Sequence, residues 1–293
     1  MVHTFQEGGR NASRAGGHPH ARPCGCTVCH TRRWSVQGID GRLPGTSLSF
    51  RRGGVMQSEQ RIMLADAPAL IVGGGATPSP GPRGTVLLLH GLGASKEVQR
   101  PEAYLLARHG YLAVILDAVG HGERRYPDFE HRFAPERAAD GFMELVAHAA
   151  AELPTVLGVL AEQGWSRPGA VGACGISMGG ASLFGAIEAG AVFDAAVSVV
   201  APPPRPHARL ERYFPTPLLL QTAGADTLVP ASDARAFHHA LAPRYASAPE
   251  RLRFVEHDGE GHLFTEAGWG RVWDEALGWF DRFLPVAGAG RPD

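Results

Sequence analysis

From Ala69 onward the chain alternates short apolar runs with longer stretches of helical periodicity. The runs are Ala69–Val72, Thr85–His90, Leu112–Asp117, Ala170–Gly175, Ala195–Val200, Leu218–Ala223 and Leu252–His257. Most are continuously apolar rather than alternating, the pattern of strands covered on both faces. Between them the 3.6-residue period predicts helices around Pro101–His109, Pro135–Gln163, Gly179–Ala189, Ala231–Leu241 and Gly270–Phe283. Pro154 predicts a kink in the second of these, because proline removes a backbone donor and crowds the preceding turn. Gly73–Gly84, with three prolines and three consecutive glycines, reads as a loop. Strand–helix alternation without internal repeats predicts an α/β domain with a mainly parallel sheet and helices on both faces. That domain is expected over residues 56–286, with a Gly/Pro-rich flexible tail at 287–293.

Composition narrows the class. The 293 residues are 44% hydrophobic and 19% charged, with a formal net charge of −1, which excludes wholesale disorder and a strongly basic nucleic-acid binder. No unbroken apolar run approaches the ~20 residues that span a bilayer, so a membrane-embedded protein is not expected. Four cysteines are too few for a disulfide scaffold.

The charge is unevenly spread. Residues 1–55 hold eight arginines against Glu7 and Asp40, and three of the four cysteines. This segment is rich in Gly, Arg, Ser, Pro and His and lacks periodicity, so it reads as a disordered or non-native extension. It has no apolar core of a secretory signal, and the expected location is cytoplasmic. Cys26-Thr27-Val28-Cys29-His30 has the spacing of a haem-attachment motif, and Cys24, Cys26, Cys29 and His30 could form a zinc set. The extension reading is preferred to either, and no cofactor or metal is expected.

The chemistry lies further on. Gly175-Ile176-Ser177-Met178-Gly179 is G-x-S-x-G, with a strand expected before it and a helix after it. That context suits a nucleophile elbow, a strained turn that projects Ser177 from the sheet edge. Serine needs a base, and the base needs an orienting carboxylate. Asp226 follows one apolar strand and His262 follows the last, in the order Ser, acid, His. Both sit in loops at strand C-termini, the edge where open α/β sheets bind ligands. His257 is the rival base and Asp233 the fallback acid. Leu87-Leu88-Leu89-His90-Gly91-Leu92-Gly93 ends another strand and has the form of an oxyanion loop, with the backbone N–H groups of Leu92 and Met178 as the expected donors. His90 is expected to be structural, His121 to satisfy backbone groups, and Cys174 to be buried core. Segments 122–140 and 201–216 are expected as short cap pieces, whose Tyr126, Phe129, Phe133, Tyr213 and Phe214 could wall an apolar acyl pocket or fasten loops to the body. Arg124, Arg125 and Arg132 could favour an acidic substrate, a reading discounted because arginine is common throughout.

Together these landmarks resemble the α/β-hydrolase family over roughly residues 69–285. His90-Gly91-Leu92 with Ser95-Lys96-Glu97, Asp117 with His121-Gly122, and the stretch from Phe142-Met143-Glu144-Leu145 through Glu152-Leu153-Pro154-Thr155 to Gly164-Trp165 look like bacterial carboxylesterases near the dienelactone-hydrolase and prolyl-oligopeptidase-like branch. The resemblance implies the α/β-hydrolase fold and a Ser–His–Asp carboxylesterase acting on a small ester, with Ser177, Asp226 and His262 as triad and Leu92 and Met178 as oxyanion donors. Dienelactone hydrolases themselves carry Cys as nucleophile, and haloalkane dehalogenases Asp, so Ser177 argues against both reactions. A thioesterase or peptidase on the same triad is the nearest alternative. A non-catalytic metal- or haem-binding protein working through the Cys cluster is the alternative from a different class. No nucleic-acid or membrane partner is expected, and the oligomeric state is left open.

Arg51-Arg52-Gly53-Gly54-Val55 precedes Met56, and its codons can read as a purine-rich ribosome-binding site. Translation is therefore expected to begin at Met56. Mass spectrometry of the native N-terminus checks this, and a peptide from within residues 1–55 would reject it.

Overall fold

A computed structural model describes residues 48–51, 56–75, 78–204, 209–284 and 286. Among the described residues, strands β1 (Leu48–Arg51), β2 (Met56–Leu64), β3 (Ala67–Gly74) and β4 (Gly84–Leu89) come first, followed by α1 (Arg100–Arg108) and β5 (Tyr111–Leu116). A short helix α2 (Phe129–Arg132) and the long α3 (Ala138–Glu162) lead to β6 (Val171–Ile176), α4 (Met178–Glu188) and β7 (Ala195–Val199). Then come β8 (Leu218–Ala223), α5 (Ala231–Leu241), β9 (Leu252–His257) and α6 (Glu266–Phe283). Among the described residues the strands form one nine-stranded sheet in the order β1-β2-β3-β5-β4-β6-β7-β8-β9. The pairs from β5 to β9 are parallel, and those joining β1, β2, β3 and β5 are antiparallel.

Side-chain alternation along the strands builds two cores. Leu87, Leu89, Leu112, Val114, Leu218 and Leu220 face one way and pack with Leu153, Leu183, Phe184 and Phe237 of α3, α4 and α5. Val86, Leu88, Ala113, Ile115, Val197 and Leu219 face the other and meet Leu106 of α1 and Trp273 and Phe280 of α6. Every residue of β4, β5 and β8 is buried, as expected of parallel strands covered on both faces.

All seven apolar runs are strands, and all five helical patterns are helices. β1 and β2 are additional. The β1 backbone pairs with β2 in the register Leu48↔Glu59 to Arg51↔Met56, so the sheet takes in residues ahead of Met56, within the stretch read as an extension. β2 has no apolar run, because Met56-Gln57-Ser58-Glu59-Gln60-Arg61 places polar residues on both faces. Its buried Glu59 is neutralised by Arg100 at 3.1 Å, and only Leu64 is fully buried in the core. α3 runs through Pro154 without a break in the helix. By length and composition α3 could cross a bilayer, although Asp140, Glu144 and Glu152 interrupt its apolar run. Here its apolar face, including Leu145, Leu153, Val156 and Leu160, is buried in the protein.

Strand order positions the site. From β4 the chain moves to β5 on one side, then crosses to β6 on the other. The loops after β4 and β6 therefore part in opposite directions at their carboxyl ends, opening a crevice there.

Candidate active site

Ser177 follows β6 directly and has φ 51° and ψ −113°, a left-handed conformation that costs a non-glycine residue of order 1–3 kcal/mol. Its own N–H donates to Val199 O at 2.8 Å, and its carbonyl accepts the N–H of Gly180 and of Ala181 in the first turn of α4. The glycines around it are steric necessities. A Cβ at Gly179 would lie 2.1 Å from Leu89 O, and one at Gly175 would lie 2.4 Å from Gly179 O. Only bare backbone lets α4 start this close to the end of β4.

The structure brings Ser177, His262 and Asp226 together. Ser177 Oγ lies 3.1 Å from His262 Nε2, and His262 Nδ1 lies 2.7 Å from Asp226 Oδ2. The Asp226 side chain is wholly buried, and its other oxygen accepts the N–H of Leu228 at 2.8 Å and of Val229 at 2.9 Å. With both oxygens held, the carboxylate fixes the imidazole ring and places its Nδ1–H, leaving Nε2 to face the serine. The rival His257 instead bonds Gln221 Oε1 through Nε2 at 2.9 Å, and burial lowers its pKa. Asp233 lies in the first turn of α5, and it is Asp226 that the imidazole engages.

Two backbone N–H groups flank the serine. Met178 is the first residue of α4, where the helix leaves its early N–H groups without intrahelical partners. Leu92 follows Gly91, whose added Cβ would stand 3.7 Å from Ser177 Cβ. Among the described residues neither the Met178 nor the Leu92 N–H has a hydrogen-bond acceptor.

His90 and His121 both serve backbone groups. His90 Nδ1 donates to Gly91 O at 2.8 Å, while Nε2 accepts the N–H of Ala118 at 3.0 Å. His121 Nδ1 donates to Val119 O at 3.0 Å, and its Nε2 accepts the N–H of Gly93 at 3.0 Å. Each ring must be the neutral Nδ1–H tautomer, since a carbonyl can only accept and an amide N–H can only donate. Burial opposes the charged form in both, lowering His121 and taking His90 down to about 4.

A buried ion cluster underlies these loops. Lys96, the chain's only lysine, is 1% exposed, and its ammonium donates to Asp117 Oδ2 at 2.7 Å and Glu123 Oε1 at 2.6 Å. Asp117 also accepts the backbone N–H of Lys96 and of Glu123. Burial works against the ammonium, but the bonds to Asp117 and Glu123 outweigh it, so the Lys96 pKa lies above its ordinary value. Composition offers a hint of this cluster in the solitary lysine, but its partners come from another strand and loop. Glu260 carried no signal either. Its carboxylate accepts the Thr265 N–H and hydroxyl and Arg271 Nη2, while its carbonyl accepts the N–H of Ala225, tying the Asp226 loop to the His262 loop.

The cap aromatics divide. Tyr126, Phe129 and Phe133 pack with Phe142 around Met178. Tyr213 and Phe214 take the second of the two expected roles. Tyr213 is fully buried against Phe184 and Phe237, and Phe214 stacks edge-on against Tyr245, so both fasten their loop to the body. Arg124 grips Asp117 O and Glu152, Arg125 pairs with Glu130, and Arg132 with Asp128 and Glu144, which leaves their charges matched rather than offered to an acidic ligand. Cys174 is wholly buried and its thiol is pushed up by burial. Cys24, Cys26, Cys29 and His30 lie outside the described residues, and among the described residues there is no group of three or more His, Cys, Asp or Glu arranged to hold a metal ion.

Sheet order, elbow and crevice define a hydrolase of the α/β-hydrolase fold. The chain belongs to the dienelactone hydrolase family, whose model matches residues 76–283. It is 26% identical over 235 residues to the protein named "Putative esterase YitV" of Bacillus subtilis (strain 168), covering 68% of this chain and 89% of that one. Among solved structures, TT1662 from Thermus thermophilus superposes with a TM-score of 0.63 at 21% identity, over 77% of this chain and 98% of that chain. A cold-adapted esterase from an Arctic intertidal metagenomic library gives 0.56 at 19% identity, over 81% of this chain and 97% of its own. At these identities the likeness shows the shared fold.

Two measurements probe the site's construction. Because of the strained elbow, Ser177→Gly should be more stable than Ser177→Ala by about 1 kcal/mol in urea unfolding, reversing the usual order of these residues; an Ala variant of equal or greater stability would contradict the strain. His90 is depressed from 6.5 to about 4 in the folded protein, so the unfolded chain binds the extra proton between those values. Stability from His90 is therefore complete above pH ~6.5 and is lost as the pH falls toward ~4, by about 3 kcal/mol. The fall in urea midpoint from pH 7 to pH 4.5 should be smaller in His90→Gln than in the wild type, and equal falls would refute it.

Proposed function

We propose that this hydrolase cleaves a carboxylic ester through an acyl-enzyme on Ser177, with His262 as general base and acid and Asp226 as its orienting partner. The observation that carries the reading is the continuous line of contacts from Ser177 Oγ to His262 Nε2 at 3.1 Å and from Nδ1 to Asp226 Oδ2 at 2.7 Å. Ser177 Oγ attacks the ester carbonyl carbon as His262 Nε2 takes its proton. The carbonyl oxygen becomes an oxyanion and accepts hydrogen bonds from the N–H groups of Leu92 and Met178, at the positive end of α4. Collapse of the tetrahedral intermediate breaks the bond to the alcohol oxygen, which receives the proton from His262. Water then attacks the acyl-enzyme with His262 as base, releasing the acid and restoring Ser177.

The surroundings favour an uncharged substrate with apolar parts. Leu92, Leu228 and Leu263 are 42%, 74% and 78% exposed, and each lies within two residues of Gly91, Asp226 or His262. Isolated exposed leucines need no explanation, but three in the loops that carry Gly91, Asp226 and His262 favour a substrate with apolar parts.

A fluorophosphonate probe should attach to Ser177, and Ser177→Ala should lower kcat for p-nitrophenyl acetate by roughly 10⁴–10⁶-fold. Esters should be turned over faster than acyl-CoA or aminoacyl substrates. Undiminished turnover by the purified variant would remove Ser177 from the role, and faster thioester or peptide cleavage would replace the ester assignment.

A further inference from the structure

We propose that His121 is a positioning residue for the oxyanion loop, holding the Leu92 N–H toward Ser177 by accepting the N–H of Gly93. The inference rests on the acyl-enzyme reading and extends it to a side chain in a different loop.

The geometry is specific. Leu92 lies between two peptide planes, and each is held by a different imidazole. The plane joining Gly91 to Leu92 contains the Leu92 N–H and the Gly91 carbonyl, and that carbonyl accepts from His90 Nδ1 at 2.8 Å. The plane joining Leu92 to Gly93 contains the Gly93 N–H, which donates to His121 Nε2 at 3.0 Å. Together the two bonds restrain both torsions of Leu92. Without the second, the plane carrying the Leu92 N–H would be held by the His90 bond alone, and Leu92 φ and ψ could change together and let that plane tilt; Gly93, with φ 77° and no atom within 4 Å of an added Cβ, offers little resistance to such a shift.

His121 is itself anchored. It is 0% exposed, donates from Nδ1 to Val119 O at 3.0 Å, and lies edge-on to His90 at 5.2 Å and to Phe129 at 5.1 Å. The Nδ1 bond dictates the tautomer, so Nε2 carries its lone pair toward Gly93. Burial disfavours the charged ring, and Arg125 and Arg124 add to it; together they outweigh the Val119 bond and Asp117, which favour the charge. A second tie runs alongside: Asp117, four residues before His121, accepts the N–H of Lys96, three residues after Gly93. The loop after β4 is thus stitched to the loop after β5 at His90–Ala118, Gly93–His121 and Lys96–Asp117. Of these, the Gly93–His121 bond is the one that holds the Gly93 side of Leu92.

The two amide analogues separate the roles of the ring nitrogens. In His121→Gln the side-chain oxygen can stand near Nε2 and accept from Gly93. In His121→Asn the amide nitrogen can stand near Nδ1 and donate to Val119, but nothing reaches Gly93. We expect His121→Asn to lower kcat for p-nitrophenyl acetate about 10²-fold with little change in KM, the scale for loss of one oxyanion donor. It should weaken a trifluoromethyl ketone, whose serine adduct carries an oxyanion, by a similar factor. His121→Gln should stay within several-fold of wild type in both. Asn and Gln variants with equal losses, or a folded Asn variant with wild-type kcat and ketone affinity, would overturn the proposal. Independently of folding in the variants, ¹⁵N NMR of the wild-type protein should show His121 neutral with its proton on Nδ1; a proton on Nε2 would overturn it. Failure of the acyl-enzyme reading would look different, as a wild-type protein whose Ser177 does not react with a fluorophosphonate.

Discussion

The site depends on one steric constraint, the passage of the chain from β6 into α4 through a left-handed residue pressed against the end of β4. Ser177 can hold φ 51° only because its surroundings leave it no alternative. Its N–H is taken by β7, its carbonyl starts the helix, and Gly179 allows α4 within reach of the Leu89 carbonyl. Any side chain at Gly179 would push the helix start away from β4. With it would go the juxtaposition of Ser177, the Met178 N–H and the loop bearing Leu92. Strain at the serine is thus the local cost of placing a hydroxyl, a helix N-terminus and a second loop at one point.

Around that point the loops are held by buried polar groups rather than by apolar packing alone. Asp226 accepts two amides of its own loop, Glu260 binds the start of α6, Asp117 takes the Lys96 N–H, and two neutral histidines link the loops after β4 and β5. A buried carboxylate or imidazole without partners would be costly, so each of these bonds is strongly directional in effect. The outcome is a set of donors and acceptors held in fixed positions, the preorganisation on which the proposed acyl-enzyme reading rests. The Lys96–Asp117 pair follows the same logic: removal of Lys96 would leave the wholly buried Asp117 carboxylate without its cation, at a cost of about 3–5 kcal/mol.

Much of this was legible along the chain. Fully buried parallel strands have an unambiguous apolar signature, so all seven expected strands stand where the runs predicted, and the elbow was readable because glycine on both sides of a serine is a local steric requirement. β1 and β2 were not legible. At the antiparallel margin of the sheet, burial of residues such as Glu59 depends on a partner, Arg100, that no local pattern announces. Tyr213 and Phe214 show the reverse limit: aromatic residues in a cap-like segment suggest a pocket wall, but only packing reveals that they face Phe184, Phe237 and Tyr245.

What the sequence determined by itself was periodicity, order and residue type: alternating strands and helices, a serine in a glycine-flanked turn, and an aspartate and a histidine after later strands. These are local properties, fixed by sterics and hydrophobic spacing within a few residues. Only the tertiary structure decided which histidine faces the serine, which carboxylate holds that histidine, and that His90, His121 and Lys96 bind two loops into one rim. Those outcomes depend on distances between groups remote along the chain, which strand order and the hand of each crossover set, and no short-range pattern encodes them.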